Sequence, residues 1–377
     1  MLPHISTIEL QKLASGDIFS LQVYRFVGHN TGKKVYIQAN LHGAEVVGNA
    51  VIYRLIDWLS GLDDRSLTGE IWLVPVCNPL GINQRSHFFA TGRYNHYDGK
   101  DWNRIFWNYE KQGEDLSEFA RSTCDLPVAT IRQKYLDNIY AAWKQQEQKI
   151  QQSSYVPFSQ QYRYRLQSLC LDANYTIDIH SSSNQSIDYL YCFQGREDSA
   201  KYFLLDKGIL MKEYDGDTFD EAFLKPWIAL EKELQKMNRK VRFDLESWTL
   251  ELGSGMQINP KSVAKGVEGI KNYLAYHKII NCNSLPSLGK KTKAIIFTPK
   301  SQLKNYYSPT GGMIHQRVDL NTQVKAGDFL YQILSFNKQG KLPELVDICA
   351  ENDGLVFDIS TSQTVNQGEY VLGMMNH

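Results

Sequence analysis

The first strong apolar run, Val35-Tyr36-Ile37 within "KVYIQ", is β-branched and aromatic and predicts a strand. The period then changes. Val47, Val51, Leu55, Trp58 and Leu59 recur at the spacing of one helix face, and Gly61 offers a stop after Ser60. A second strand is predicted over Glu70 to Val76, closed by the turn residues Asn78, Pro79 and Gly81. Strand-like runs return at "NYTIDIH", "DYLYCF" and "VRFDLESWTLELG". Their alternation with helical stretches predicts an α/β domain, a mixed sheet flanked by helices. Residues 109–170 break the rhythm. They are rich in Gln and Lys, hold the helix-like "YLDNIYAAWKQQEQKI", and read as a helical insertion with a solvated tail. A helix around "GVEGIKNYLAYHK" closes a first domain over 1–285, and "NCNSLPSLGKKTK" has the composition of a linker.

A second domain is expected over 294–377. In it "VKAGDFL" (Val324 to Leu330) and "VNQGEYV" (Val365 to Val371) share the pattern Val-x-x-Gly-acid-aromatic-aliphatic, an internal repeat. Gly312 and Gly354 precede the two copies by a similar distance, so two matching halves of short strands are predicted, an all-β domain. The pattern resembles the biotinyl/lipoyl hammerhead. No Met-Lys-Met or Asp-Lys-Ala turn joins the halves, and Lys338 and Lys341 fall in a longer loop, so neither biotin nor lipoate is expected on it.

Composition narrows the function classes. At 377 residues and 42% hydrophobic content the chain can bury the cores of two domains. Forty-one basic and 41 acidic residues cancel, so no long-range field favours nucleic acid or a membrane surface, and Lys290, Lys291 and Lys293 read as solvated linker charges. The start "MLPHISTIELQKLASGD" lacks a basic stretch followed by an apolar one, and no run is long enough to span a bilayer, so a cytoplasmic location is expected. The cysteines, at 77, 124, 170, 192, 282 and 349, form no Cys-x-x-Cys pair, and Cys77 and Cys192 lie inside apolar runs; all are expected to be reduced core residues.

The chemistry begins at "ANLHGAEVVGNA", where the first strand turns into the first helix. His42 and Glu45 sit in that turn, at the sheet edge where α/β folds keep their sites. The pair can meet one cation; it can equally be a polar loop residue and an acid placed at a helix start. If it binds metal, a third ligand is needed, because catalytic zinc has three protein ligands and an open position. "TIDIHSSSN" offers His180 at a strand end, followed by small hydroxylic residues, whereas His96, His277 and His377 have no comparable setting. "TLELGSG" places Glu251 at another strand end beside no basic residue, where a carboxylate is expensive to bury unless it faces a polar site. There it would serve as a general base. In "GRYNHYDGKDWNRIF", Arg93, Asn103 and Arg104 share a turn-rich loop, and two guanidiniums with an amide suit a grip on a carboxylate.

In order, His42-x-x-Glu45, Arg93, Asp98-Gly99, Asp101-Trp102-Asn103-Arg104, Asp178-Ile179-His180 and Thr249-Leu250-Glu251 resemble the succinylglutamate desuccinylase/aspartoacylase family, a branch of the zinc carboxypeptidase-like fold. The resemblance spans most of residues 30–275 and extends to the C-terminal β-domain. It implies one Zn²⁺ per chain on His42, Glu45 and His180, with Glu251 as catalytic base. It also implies that Arg93, Asn103 and Arg104 bind the substrate's carboxylate and polarise its carbonyl, Arg104 with zinc stabilising the oxyanion. Asp101 would hold the outer nitrogen of His42, and Asp178 would support His180.

The sequence departs from the family pattern in three places. Trp102 replaces the usual Leu; the stretch 85–92 is long, so that Arg85 competes with Arg93 for the carboxylate; and the helical insertion is large enough to roof the site. The expected activity is zinc-dependent cleavage of an amide bond in an N-acyl amino acid. Rival readings are a metallocarboxypeptidase acting on peptides or cell-wall fragments, and a metal-binding protein without turnover. The expected partners are a small carboxylate-bearing molecule and, in an oligomer, further copies of the chain.

Overall fold

A computed structural model describes residues 1–112, 115–214, 216–281 and 287–376. A hairpin, β1 (His4–Lys12) and β2 (Ile18–Val27), precedes β3 (Asn30–Ala39), α1 (Val47–Ser60), β4 (Thr68–Val74) and the short α2 (Pro79–Asn83). The insertion supplies α3 (Leu116–Thr123), α4 (Val128–Ile150) and α5 (Phe158–Gln167). Then come β5 (Tyr175–Ser182), β6 (Gln185–Ser186), β7 (Asp188–Phe193), α6 (Glu197–Ala200) and β8 (Lys207–Met211). After these follow α7 (Phe219–Lys236), β9 (Glu246–Ser254), α8 (Pro260–Tyr276) and β10 (Ile296–Pro299).

One mixed sheet runs in the order β1-β2-β4-β3-β5-β9-β7-β8-β10, with β4, β3, β5 and β9 parallel at its centre. Central strands are covered on both faces. Ile37, Ile177, Ile179 and Leu250 pack under α1 and α8, while Tyr36 and Val74 face Trp102 and Tyr162 on the other side. Each aliphatic side chain so buried stabilises the fold by about 1.5–3 kcal/mol. Local signals set the helix ends: Gly61 follows α1 as expected, and α8 starts with Pro260 behind Asn259, whose side chain accepts from the Lys261 and Ser262 amides.

The insertion packs away from the sheet's active edge. Tyr135 of α4 meets Trp227 of α7 edge-on at 5.1 Å, and Trp102 meets Tyr162 of α5 at 5.1 Å. The indole in place of leucine thus fills the gap between the site loop and the insertion.

The C-terminal strands are β11 (Leu303–Tyr307), β12 (Gly312–Arg317), β13 (Gln323–Val324), β14 (Phe329–Ser335), β15 (Glu344–Cys349), β16 (Gly354–Ile359), β17 (Thr364–Val365) and β18 (Tyr370–Asn376). They form two antiparallel sheets, β11-β18-β16-β13 and β15-β14-β12-β17. The two copies of the repeat fold alike. In each, a two-residue strand leads through a glycine at positive φ, Gly327 at +91° or Gly368 at +82°, into a long strand. The acid beside that glycine accepts the amide three residues earlier, Lys325 to Asp328 and Asn366 to Glu369, both at 2.8 Å. Lys338 and Lys341 lie in the exposed connection between β14 and β15.

Three expectations change. The hairpin β1–β2 and strands β8 and β10 were not foreseen, and β10 extends the first sheet past residue 294 by pairing with β8. Cys77, Cys170 and Cys192 are buried, but Cys124 is half-buried and Cys349 exposed, because β15 is an edge strand with one face in solvent. Cys282, His377 and linker residues 282–286 lie outside the described residues. Among the described residues no helix is long and apolar enough to cross a membrane.

Candidate metal centre

Strand β3 turns sharply into the site. Asn40 takes a left-handed φ of +68°, which short polar side chains tolerate, and its amide donates to the His42 and Gly43 carbonyls at 3.0 and 3.1 Å. The loop then meets two others backbone to backbone. A Cβ on Gly43 would lie 2.1 Å from the Gly81 carbonyl oxygen, and one on Gly92 would lie 2.3 Å from the same atom. The Gly43 amide donates to Gly92 (3.1 Å) and Ala44 to Thr91 (2.9 Å). Without side chains at these contacts, the loop carrying Arg93 reaches His42 and Glu45.

His42, Glu45 and His180 are all buried, and one donor atom from each lies within 4.8 Å of the others. Glu45 Oε1 is 2.9 Å from His42 Nδ1, and its Oε2 is 2.7 Å from His180 Nδ1. The outer nitrogens are held from behind: His42 Nε2 meets Asp101 Oδ1 at 3.1 Å, and His180 Nε2 meets Asp178 Oδ2 at 2.9 Å. Burial alone would lower the His180 pKa, but Asp178 and Glu45 outweigh it and hold it well above the usual value. For Glu45, burial pushes upward and the two imidazoles win, leaving it strongly ionised.

This donor set fits a transition metal. Two imidazoles and one carboxylate suit Zn²⁺ better than the all-oxygen shells of Mg²⁺ or Ca²⁺, and a carboxylate behind each imidazole is the usual support for a metal-ligating histidine. Arg93 adds a direct sign. Its Nη1 lies 2.9 Å from His42 Nδ1 and 3.5 Å from Glu45 Oε1, so a positive group already sits against two of the donor atoms that a cation would meet.

Glu251 is the cross-strand neighbour of His180 in the parallel register of β5 and β9. Its Oε2 is shielded from solvent and has no hydrogen-bond partner among the described residues. Burial raises its pKa to about 7, with Glu45 adding and His180, Arg93 and His42 opposing. The group is poised between acid and base at neutral pH.

The trio, Glu251, Arg93, Asn103 and Arg104 all line one cleft of about 450 Å³. Arg93 stands beside the trio, with Nε 3.3 Å from Asp101 Oδ2. Arg104 is exposed across the cleft, its Nη1 donating to the Asn103 carbonyl at 2.6 Å. The Asn103 side-chain oxygen accepts the Phe219 amide at 2.9 Å and so fixes the start of α7. Arg85 is not brought to the cleft. It lies exposed on the surface, donating to the carbonyls of Ile82 and Gln84, because the long loop after α2 turns outward. Nor do helices α3, α4 and α5 of the insertion roof the site, since none of their residues lines the cleft.

Several cleft residues escaped the sequence reading: Tyr189 and Tyr191 on β7, Asp220 and Glu221 at the start of α7, Ser183, and Lys300. Alternation in "DYLYCF" puts both tyrosines on one face, but which face borders the site depends on β7 lying beside β9. Ser183 donates to Glu45 Oε1 at 3.3 Å, and Thr249 Oγ1 to Asp220 Oδ2 at 2.8 Å.

The family model of the succinylglutamate desuccinylase/aspartoacylase catalytic domain matches residues 31–136. A comparison with curated proteins finds no match. Among solved structures, a succinylglutamate desuccinylase/aspartoacylase family protein from Shewanella amazonensis is 30% identical, with 99% of this chain and 98% of that one covered and a TM-score of 0.87. A second, from Shewanella frigidimarina, is 26% identical over 100% and 98% of the two chains, with a TM-score of 0.89. The ectoine utilization protein EutE (DoeB) from Ruegeria pomeroyi, 15% identical over 100% and 95%, shares the fold at a TM-score of 0.68. With 30% identity over nearly the whole of both chains, and with the family's catalytic-domain model matching residues 31–136, the chain belongs to the succinylglutamate desuccinylase/aspartoacylase family.

Proposed function

We propose that the protein is a zinc-dependent hydrolase that cleaves an amide bond in a carboxylate-bearing substrate of the N-acyl amino acid class. The observation that carries this reading is Glu251, a shielded carboxylate with a free oxygen, one strand away from His180. A site that only binds metal has no use for such a base. Bound zinc would supply Lewis acidity and bring the pKa of water near neutrality. His42, Glu45 and His180 would hold it, with Asp101 and Asp178 fixing both imidazoles in the tautomer that leaves Nδ1 free. Glu251 takes a proton from the attacking water at Oε2 and delivers it to the leaving amine, so water is consumed, the C–N bond breaks, and a carboxylic acid and an amine remain.

The two arginines divide the remaining work. Arg93, beside the trio, donates to the carbonyl oxygen as charge develops there, the role expected of Arg104 from the family resemblance. Arg104, across the cleft and free of any carboxylate partner within ion-pair distance among the described residues, is left for the substrate's own carboxylate. The family name, with a desuccinylase of succinylglutamate and an aspartoacylase, supports an acylated amino acid as substrate.

A panel of acyl amino acids and short peptides, assayed with the zinc-loaded protein, tests the reading; hydrolysis of none of the acyl amino acids overturns it. On the best substrate, replacing the carboxylate by a carboxamide should lower kcat/KM by about ten- to a hundredfold, the worth of one charged hydrogen-bonded pair. Arg104→Ala should abolish that discrimination mainly through KM, and Arg93→Ala should lower kcat. Equal turnover of both substrates by the unaltered protein would remove the carboxylate clamp.

A further inference from the structure

The segment that leaves the site after His180 is fastened to the other domain. Ser182, at the end of β5, donates to Asp358 Oδ2 at 2.5 Å, and Asn184 Nδ2 donates to Asp358 Oδ1 at 3.3 Å. Asp358 belongs to β16 of the C-terminal domain and is only 7% exposed. Directly after these contacts β6 pairs antiparallel with β16, Ser186 opposite Asp358, and Ser186 Oγ and the Ile187 amide both donate to the Phe357 carbonyl at 2.9 and 3.0 Å. The same short segment walls the cleft: Ser181 to Asn184 line it, and Ser183 reaches Glu45.

We propose that Asp358 is a positioning residue of the catalytic cleft, a carboxylate of the C-terminal β-domain that fixes the wall formed by residues 182–184. This rests on the hydrolase reading above and adds to it the part that the second domain plays.

The residue type argues for more than packing. Around it the two domains already meet through apolar contacts, with Tyr189 against Phe357 at 5.6 Å and Leu355 and Met375 in the same cluster. A carboxylate buried in such a junction loses hydration and is retained at a cost unless its donors need it. Among the described residues its donors are three. Besides Ser182 and Asn184, the Tyr370 hydroxyl donates to Oδ1 at 2.7 Å, while the neighbouring Arg317 spends its Nη1 on the Ser360 and Val371 carbonyls. Tyr370 lies in the second copy of the repeat, at the aromatic position after Gly368 and Glu369. The first copy has Phe329 there, which offers no hydroxyl. The hydroxyl that steadies Asp358 is therefore present only in the copy whose strand, β18, runs beside β16.

The experiment is a double-mutant cycle of Asp358→Ala and Ser182→Ala on the full zinc-loaded chain, read by steady-state kinetics, metal analysis and amide hydrogen exchange. Each single variant should raise KM about tenfold with a much smaller change in kcat, keep one zinc per chain, and speed exchange over residues 183–187. The losses should be less than multiplicative in the double variant, because the Ser182–Asp358 bond is already gone in either single one. Should Asp358→Ala not fold, Tyr370→Phe, which removes one of the carboxylate's donors and leaves the carboxylate in place, should speed exchange over 183–187 in the same direction. Unchanged exchange over 183–187 in the single variants overturns the proposal, as do kinetic losses that multiply in the double variant. If the unaltered protein hydrolyses nothing in the panel, the functional reading falls, and the exchange measurement alone still decides whether Asp358 holds the wall.

Discussion

Glu251→Gln should retain a full equivalent of zinc and lose about 10²–10⁴-fold in kcat, the range that general acid-base catalysis contributes. The amide keeps the size of the side chain and its place beside His180, but it can neither accept the proton nor return it. Nothing else needs to move, because among the described residues Glu251 Oε2 makes no hydrogen bond that the substitution would break. The pH profile carries the same information. Burial lifts this carboxyl to about 7, and only the ionised form is a base, so activity falls as pH drops through its pKa. A dication beside it favours the ionised form and moves that acid limb below 7. Measuring kcat and zinc content together decides the matter: undiminished turnover in the variant would take Glu251 out of the mechanism.

The second large effect is on metal itself. The unaltered protein should copurify with one zinc per chain, and His42→Ala and His180→Ala should each lose most of it. Each imidazole supplies one of three donors, and no spare histidine or cysteine joins the group among the described residues. The two variants should differ in stability. Asp178 is 1% exposed, so removing His180 leaves a buried carboxylate without its partner, at a cost of about 3–5 kcal/mol. Asp101 is more open and keeps Arg93, so His42→Ala is the milder change. Elemental analysis with circular dichroism as the folding control checks both. Folded variants that still carry a full equivalent would show that the ligands are misassigned.

Much of the site was legible because each of its main residues ends an apolar run. His180 and Glu251 close strands whose buried alternation points their side chains to one edge, and His42 with Glu45 fills the first strand-to-helix turn. The family resemblance then supplied roles that spacing alone leaves open, such as Asp101 behind His42. What stayed hidden depends on tertiary neighbours. Tyr189 and Tyr191 line the cleft because β7 runs antiparallel beside β9, a pairing with no local sign. Arg85 and Arg93 look alike in sequence; stacked glycines pull one inward, and the loop after α2 turns the other outward. The hairpin β1–β2 was missed because its exposed edge strand carries many polar residues and little buried surface.

The parallel order β3, β5, β9 also sets a sequence of events during synthesis. A chain made from its N-terminus presents His42 and Glu45 first and His180 second, so all three metal donors exist before the strand bearing Glu251 has been built. At about 5–20 residues per second, the interval between residues 180 and 251 lasts roughly 4–14 s. Strand β7 is already made by then, yet it cannot settle, because β9 must slide between it and β5. The three residues of the His-Glu-His group are thus all made seconds before Glu251, and the sheet that holds them together is complete only when the late strand closes its middle.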